Sequence, residues 1–126
     1  RELRHGGGIG VGGEVDLRIE VGYPTLFNHE NLTQRAIQYA KSYLGPDKVV
    51  ELPIRLTAED FAYFAQEVDG CFYRLGVRNE KKGIVSNLHT STFDIDEDSL
   101  RTGMGLMAWL AVKELEYLND LNQKNA

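Results

Sequence analysis

"VVELPIRLTAEDFAYFAQEVDGCFYRLGV", residues 49–77, carries the pattern on which the fold turns. Val50, Leu52 and Ile54 alternate with other residues at the period of a β-strand, and Pro53 marks that strand as an edge or a bulge. Thr57 then reads as the cap of a helix over "AEDFAYFAQEV", with Asp60 as its capping-box acid. After the Asp69-Gly70 turn, Cys71, Tyr73, Leu75 and Val77 alternate again. Strand, helix and strand joined this closely have the length of a βαβ unit, whose two strands run parallel. The expected fold class is therefore α/β, with a mixed sheet.

Upstream, Leu32, Ala36, Ile37, Ala40 and Leu44 share one face of a helix expected over Asn28 to Leu44. Asn31 and Gln34 have capping-box spacing, and Gly45-Pro46 stops the helix. Further upstream, "EVDLRIEV" alternates Val15, Leu17, Ile19 and Val21 against charged residues, as a strand with one wet face does. The first 13 residues hold six of the 13 glycines and read as a flexible start.

Downstream, a polar turn at "RNEKKG" leads to the stretch "SNLHTSTFDIDEDSL", Ser86 to Leu100. A long helix is expected from about Glu97 to Leu121, with Leu100, Met104, Met107, Ala111, Leu115 and Leu118 in a stripe that Leu106, Trp109, Leu110 and Val112 widen. So apolar a helix packs on more than one side, or against something outside this chain.

The 126 residues fit one domain, with 42% hydrophobic and 26% charged content. A net charge of -5 without a Lys/Arg cluster argues against nucleic acid, and no apolar run approaches a membrane span. The single Cys71 rules out an internal disulfide, and the first residues lack the pattern of a signal peptide, so a reducing cytoplasm is the expected location. Cys71 itself reads as a small core residue.

In an open parallel sheet, ligands bind beyond the carboxyl ends of the strands, which points to Glu59 and Asp60 and to the loop of His89. Each has an ordinary alternative. Acids in a first helical turn favour the helix dipole, which accounts for Glu59 and Asp60 and, more strongly, for Asp94, Asp96, Glu97 and Asp98. One histidine cannot hold a metal by itself. Tyr23 is the best aromatic candidate to line a pocket, whereas Phe61, Tyr63 and Phe64 read as packing.

Taken together, "GYPTLFNHENLT", "AEDFAYFAQEVDGCFYRLG" and "LHTSTFDIDEDSLRTGMGLMAWLA" resemble the C-terminal part of the dinuclear metal-dependent amidohydrolases. That family includes hippurate hydrolase, N-acyl-amino-acid deacetylases and indoleacetyl-amino-acid hydrolases, within the aminoacylase/carboxypeptidase class of metallopeptidases. The resemblance implies a flexible start at 1–13, the last strand of a lid and dimerisation domain with its return at 14–24, and part of the α/β catalytic domain at 25–126. It implies that His89 is a ligand of a two-metal site (zinc, manganese, cobalt or nickel) and that Glu59 and Asp60 order that site. Tyr23 would touch substrate.

The implied reaction is hydrolysis of an N-acyl amino acid by a metal-activated water. The implied partners are that substrate, a second copy of the protein in a homodimer, and an N-terminal part of the catalytic domain carrying the Cys-Gly-His-Asp segment, the adjacent glutamate pair and the lid histidine. None of those three elements occurs in this sequence. The chain alone would then be inactive. Ser91 departs from the family pattern, where proline is usual, and "LTA" at 56–58 replaces Met-Gly-Ser/Ala. A different reading remains open: a non-catalytic α/β module that binds a small ligand or assembles through its last helix.

Overall fold

The computed structural model describes residues 18–20 and 22–125. The expected Gly-rich start, together with Val15, Leu17 and Val21 of the expected first strand, lies outside the described residues. Three α-helices organise the rest: α1 (Glu30–Leu44), α2 (Phe61–Glu67) and α3 (Asp98–Asn125). Single 3-10 turns at Pro46–Lys48 and Glu80–Lys82 punctuate the connections. No helix is long and apolar enough to cross a membrane among the described residues.

The sheet expected around residues 49–77 is not formed among the described residues, where the β-structure consists of one antiparallel bridge, Asn79 with Ile84. Alternation specifies which face of a strand would be buried, but a strand also needs a neighbour about 4.8 Å away to pair with. Residues 49–56 have none here. Ile54 and Leu56 stand 95% and 102% exposed, so the apolar side of the alternation faces no packing partner.

The helix after Leu56 also begins later than the capping pattern suggests. Asp60, not Thr57, is the N-cap, it lies in helical conformation, and its side chain makes no capping bond. Glu59 offers Oε1 to the Phe61 amide at 3.4 Å instead. Seven residues leave α2 room for little beyond one buried contact, that of Ala62.

Helix α1 is capped by His29, whose Nδ1 accepts from the Leu32 amide at 3.4 Å. Asn28, expected inside the helix, is used elsewhere. Its side-chain amide donates to the Phe72 carbonyl at 2.9 Å and its carbonyl accepts from the Phe72 amide at 2.7 Å, and the His29 amide donates to the Gly70 carbonyl at 2.8 Å. These bonds fasten the start of α1 to the segment after α2, giving Phe72 the two partners that a neighbouring strand would supply.

Helix α3 lies against α1 through Leu106, Trp109 and Leu110, which were expected only to widen the stripe, whereas Val112 of the same set is exposed. Leu106 is buried, and the Trp109 indole donates to the Tyr39 carbonyl at 3.1 Å. The main stripe stays open: Leu100, Met104, Met107, Leu115 and Leu118 are all exposed. The close crossing needs Gly105, because a Cβ there would sit 2.0 Å from the Tyr43 hydroxyl. Between the two helices and residues 71–73 lies a cavity of about 190 Å³, lined in part by Leu32, Tyr39, Cys71, Tyr73 and Leu110. Cys71, expected as a core residue on a strand, is only partly covered at this cavity and stands on no strand.

Candidate functional site

The residues singled out by sequence fall into two local groups. Tyr23 meets the first: its ring stands edge-on to Tyr63 of α2, with centroids 5.7 Å apart, just beyond Glu59 and Asp60. Glu59 is half-buried and Asp60 exposed at the head of that short helix. His89 heads the second group, in the loop between the 79–84 turn and α3.

The His89 backbone is unusual. Its φ of 63° makes it the only non-glycine residue with a left-handed backbone among the described residues. That region brings Cβ against the following carbonyl and is sparsely used by residues with a side chain. Such strain persists where the surroundings over-determine it, and it gathers at binding and catalytic sites. The His89 side chain is exposed and makes no hydrogen bond or ion pair among the described residues.

The loop that carries it is built from hydroxyls. Ser86 Oγ and Thr92 Oγ1 bond each other at 2.8 Å, Thr90 Oγ1 donates to the Asn87 carbonyl at 2.8 Å, and the Phe93 amide donates to the Thr90 carbonyl at 3.1 Å. Its two stems are held from outside. Arg78 donates to the Val85 carbonyl at 3.0 Å, and the Asp96 amide to the Val77 carbonyl at 2.9 Å.

Asp96 is the anchor of this platform. It accepts from Asn79 Nδ2 at 2.6 Å, from Lys82 Nζ at 2.5 Å and from the Asp98 amide at 3.3 Å. Lys82 also reaches Asp98 at 2.6 Å. The Asn79 bond first, and then the Lys82 ammonium, hold the Asp96 carboxyl below the usual aspartate range. Those same carboxylates push Lys82 above the usual lysine range. Of the acids after His89, Asp96 and Asp98 therefore stand at the start of α3 and bind the preceding turn, in keeping with their reading as helix-start residues, while Asp94 accepts from the Ile95 amide.

As a metal site the described residues are incomplete. No three His, Cys, Asp or Glu side chains converge in a way that could hold an ion among the described residues. No hydrogen bond or ion pair joins His89 to Glu59 or Asp60 among them either. Taken singly, His89 fits the part of one ligand: an exposed imidazole without competing partners, on a backbone held in one uncommon conformation. The left-handed backbone, the hydroxyl pair and the His29 cap have no signature in the residue pattern. The sheet-edge rule and the motif around His89 both point to this loop, the first through a sheet that is not formed among the described residues.

Comparison with known proteins bears on the same residues. Residues 2–113 match the model of Peptidase family M20/M25/M40. The chain is 42% identical over 91 residues to thermostable carboxypeptidase 1 of Saccharolobus solfataricus, covering 72% of this chain and 22% of that protein. It is 35% identical over 98 residues to IAA-amino acid hydrolase ILR1-like 6 of Arabidopsis thaliana, covering 78% of this chain and 20% of that one. With N-acetyldiaminopimelate deacetylase of Brevibacillus brevis the identity is 27% over 113 residues, covering 85% of this chain and 29% of that one. No solved structure matches. The chain thus spans between a fifth and a third of the length of these relatives. The match over nearly the whole sequence shows that the chain belongs to Peptidase family M20/M25/M40.

Proposed function

We propose that this chain is the C-terminal segment of a metal-dependent hydrolase acting on amide bonds, with N-acyl amino acids as the substrate class. The observation that carries the reading is the coincidence at His89. The residue that the three sequence motifs single out as a ligand is also the one non-glycine residue among those described with a left-handed backbone. The relatives' names, a carboxypeptidase, an amino acid hydrolase and a deacetylase, support amide hydrolysis in the whole protein.

When bound, divalent ions in such a site supply Lewis acidity and a nucleophile at neutral pH. In this reading His89 donates its imidazole to one ion, Glu59 and Asp60 order the loop at the head of α2, and Tyr23, braced against Tyr63, lines the substrate side. The remaining ligands and the general base come from outside this chain, so the chain by itself does not hydrolyse substrate. Replacing His89 by alanine in the longer protein is expected to lower bound metal and to abolish hydrolysis of an acetyl-amino acid. Unchanged metal content and unchanged hydrolysis would reject the assignment.

A second reading has its own observation. The exposed stripe of α3, with Met104, Met107 and Leu115 each more than 60% exposed, suits an assembly module that pairs with another copy or with the rest of the protein. Light scattering of the chain is expected to give a dimer or larger species, and a monomer would count against it. Tight stoichiometric zinc or manganese binding by the chain alone would count against the first reading.

A further inference from the structure

We infer that Ser86 and Thr92 are positioning residues for His89: their hydroxyls clasp the neck of its loop and hold residue 89 in the left-handed conformation. The inference rests on His89 being a site residue, as proposed above. Four observations lead to it. The clasp is a short contact, 2.8 Å between Ser86 Oγ and Thr92 Oγ1, with one hydroxyl donating and the other accepting. It closes the segment whose middle residue is His89. Inside it, the Thr90 hydroxyl bond to the Asn87 carbonyl and the Phe93 amide bond to the Thr90 carbonyl occupy the backbone groups on either side of His89. Outside it, the Val85 carbonyl accepts from Arg78 and the Asp96 amide donates to the Val77 carbonyl, so each stem of the neck has a partner outside the loop.

A residue carrying a Cβ is disfavoured in the left-handed region, histidine less than most, and it shifts toward other conformations when its loop is free to relax. Ser91 imposes no fixed φ on the loop, as a proline would, so closure falls to hydrogen bonds. The stems fix where the loop begins and ends. They leave the residues between Ser86 and Thr92 free to choose among several paths. The clasp, together with the Thr90 bonds inside it, narrows that freedom, so that the His89 backbone keeps one conformation and less loop entropy is left to lose when an ion arrives.

The test uses Ser86→Ala, Thr92→Val and the hydroxyl-retaining pair Ser86→Thr and Thr92→Ser. In the chain itself, backbone carbon shifts of His89 read by NMR are expected to lose their left-handed signature in the first two variants and keep it in the second two. The Trp109 indole signal reports that α1 and α3 remain packed. In the longer protein, the two hydroxyl-less variants are expected to bind zinc about tenfold more weakly, as for other groups that orient a metal ligand. The hydroxyl-retaining pair should bind as the parent does. Unchanged His89 shifts without the hydroxyls would overturn the clasp. Unchanged zinc affinity in those variants, where His89→Ala does weaken binding, would overturn its positioning role. If His89→Ala itself leaves zinc binding intact, the ligand reading fails, and the shifts still decide the clasp by themselves.

Discussion

Arg35 on α1 and Glu114 on α3 meet in a two-pronged ion pair. Arg35 Nε lies 2.9 Å from one carboxylate oxygen, and its terminal nitrogen reaches the other. Both side chains are largely covered, at 24% and 20% exposure, and the guanidinium lies 4.1 Å from the centroid of the Tyr117 ring. The hydrogen bond to Glu114 strengthens the hold of Arg35 on its proton. Most exposed pairs contribute little, but this one has the fork geometry and the cover that make a contribution measurable. A double-mutant cycle on Arg35→Ala and Glu114→Ala is expected to give a coupling of about 1 kcal/mol in urea unfolding. Arg35→Lys should recover little of it, because an ammonium cannot reproduce the fork. Zero coupling would show the pair to be a passive contact.

Gly105 tests the closeness of the same two helices. Alanine in a helix normally gains up to about 1 kcal/mol over glycine, yet here the new methyl would collide with the Tyr43 ring end. Tyr43 would have to swing away from Trp109, whose ring centroid lies 6.0 Å from its own. Overpacking of this kind costs about 1–3 kcal/mol, so Gly105→Ala is expected to lower stability by about 1 kcal/mol net and to alter Trp109 fluorescence. A rise in melting temperature would mean that the helices have room to spare.

Acid should loosen the platform beneath the His89 loop. A carboxyl whose folded pKa is depressed stabilises the fold above its unfolded value, and that contribution is lost as pH falls through the lower folded value. For Asp96 the loss therefore begins near pH 4, about the ordinary aspartate value, and proceeds downward. Lys82 has the opposite sign: with its folded pKa raised, its contribution is complete at neutral pH and fades only in strong alkali. Hydrogen exchange at the Asp98 and Ser99 amides, followed from pH 6 to pH 3, should show protection falling in the parent chain. Asp96→Asn should start lower and stay flat. Parallel curves for the two proteins would remove Asp96 from this role.

The backbone at His89 makes a prediction that separates folding from function. Glycine is at ease at a φ of 63°, so His89→Gly is expected to leave thermal stability unchanged or to raise it by up to about 1 kcal/mol. A β-branched residue is not, and His89→Val should cost about 1–2 kcal/mol. Both variants remove the imidazole, so both should weaken zinc binding in the longer protein. A clear loss of stability with glycine would show that the His89 side chain is structural.

What was legible in the sequence was local. The periodicity of residues 30–44 and of the last helix located α1 and α3 to within a few residues, because an amphipathic face repeats every three or four positions whatever it packs against. Asp96 and Asp98 were readable as helix-start acids because the dipole of a helix favours negative charge at its start, wherever the helix packs. The three motifs together carried the family, and the last of them, around "LHTSTFDIDEDSL", carried His89 with it. Helix α2 was read as too long, since capping-box spacing at Thr57 and Asp60 does not form the box unless the chain turns there.

Everything that joined distant residues was decided by tertiary structure. Nothing in their neighbours tells Arg35 to find Glu114, 79 positions away, or Asn28 to take the place of a strand beside Phe72. His29 caps α1 because the chain reaches it in an extended conformation with Nδ1 in range of the Leu32 amide, a role its residue type seldom advertises. The alternation of residues 49–54 and 71–77 is a sound strand pattern, but alternation is a property of one segment and a ladder is a property of two. By itself the sequence determined where α1 and α3 lie and the family, and it singled out His89 as a candidate. The tertiary structure alone decided which face of α3 is covered, which segments go unpaired, and that His89 stands in a left-handed backbone, because these depend on contacts whose partners are far apart in the chain.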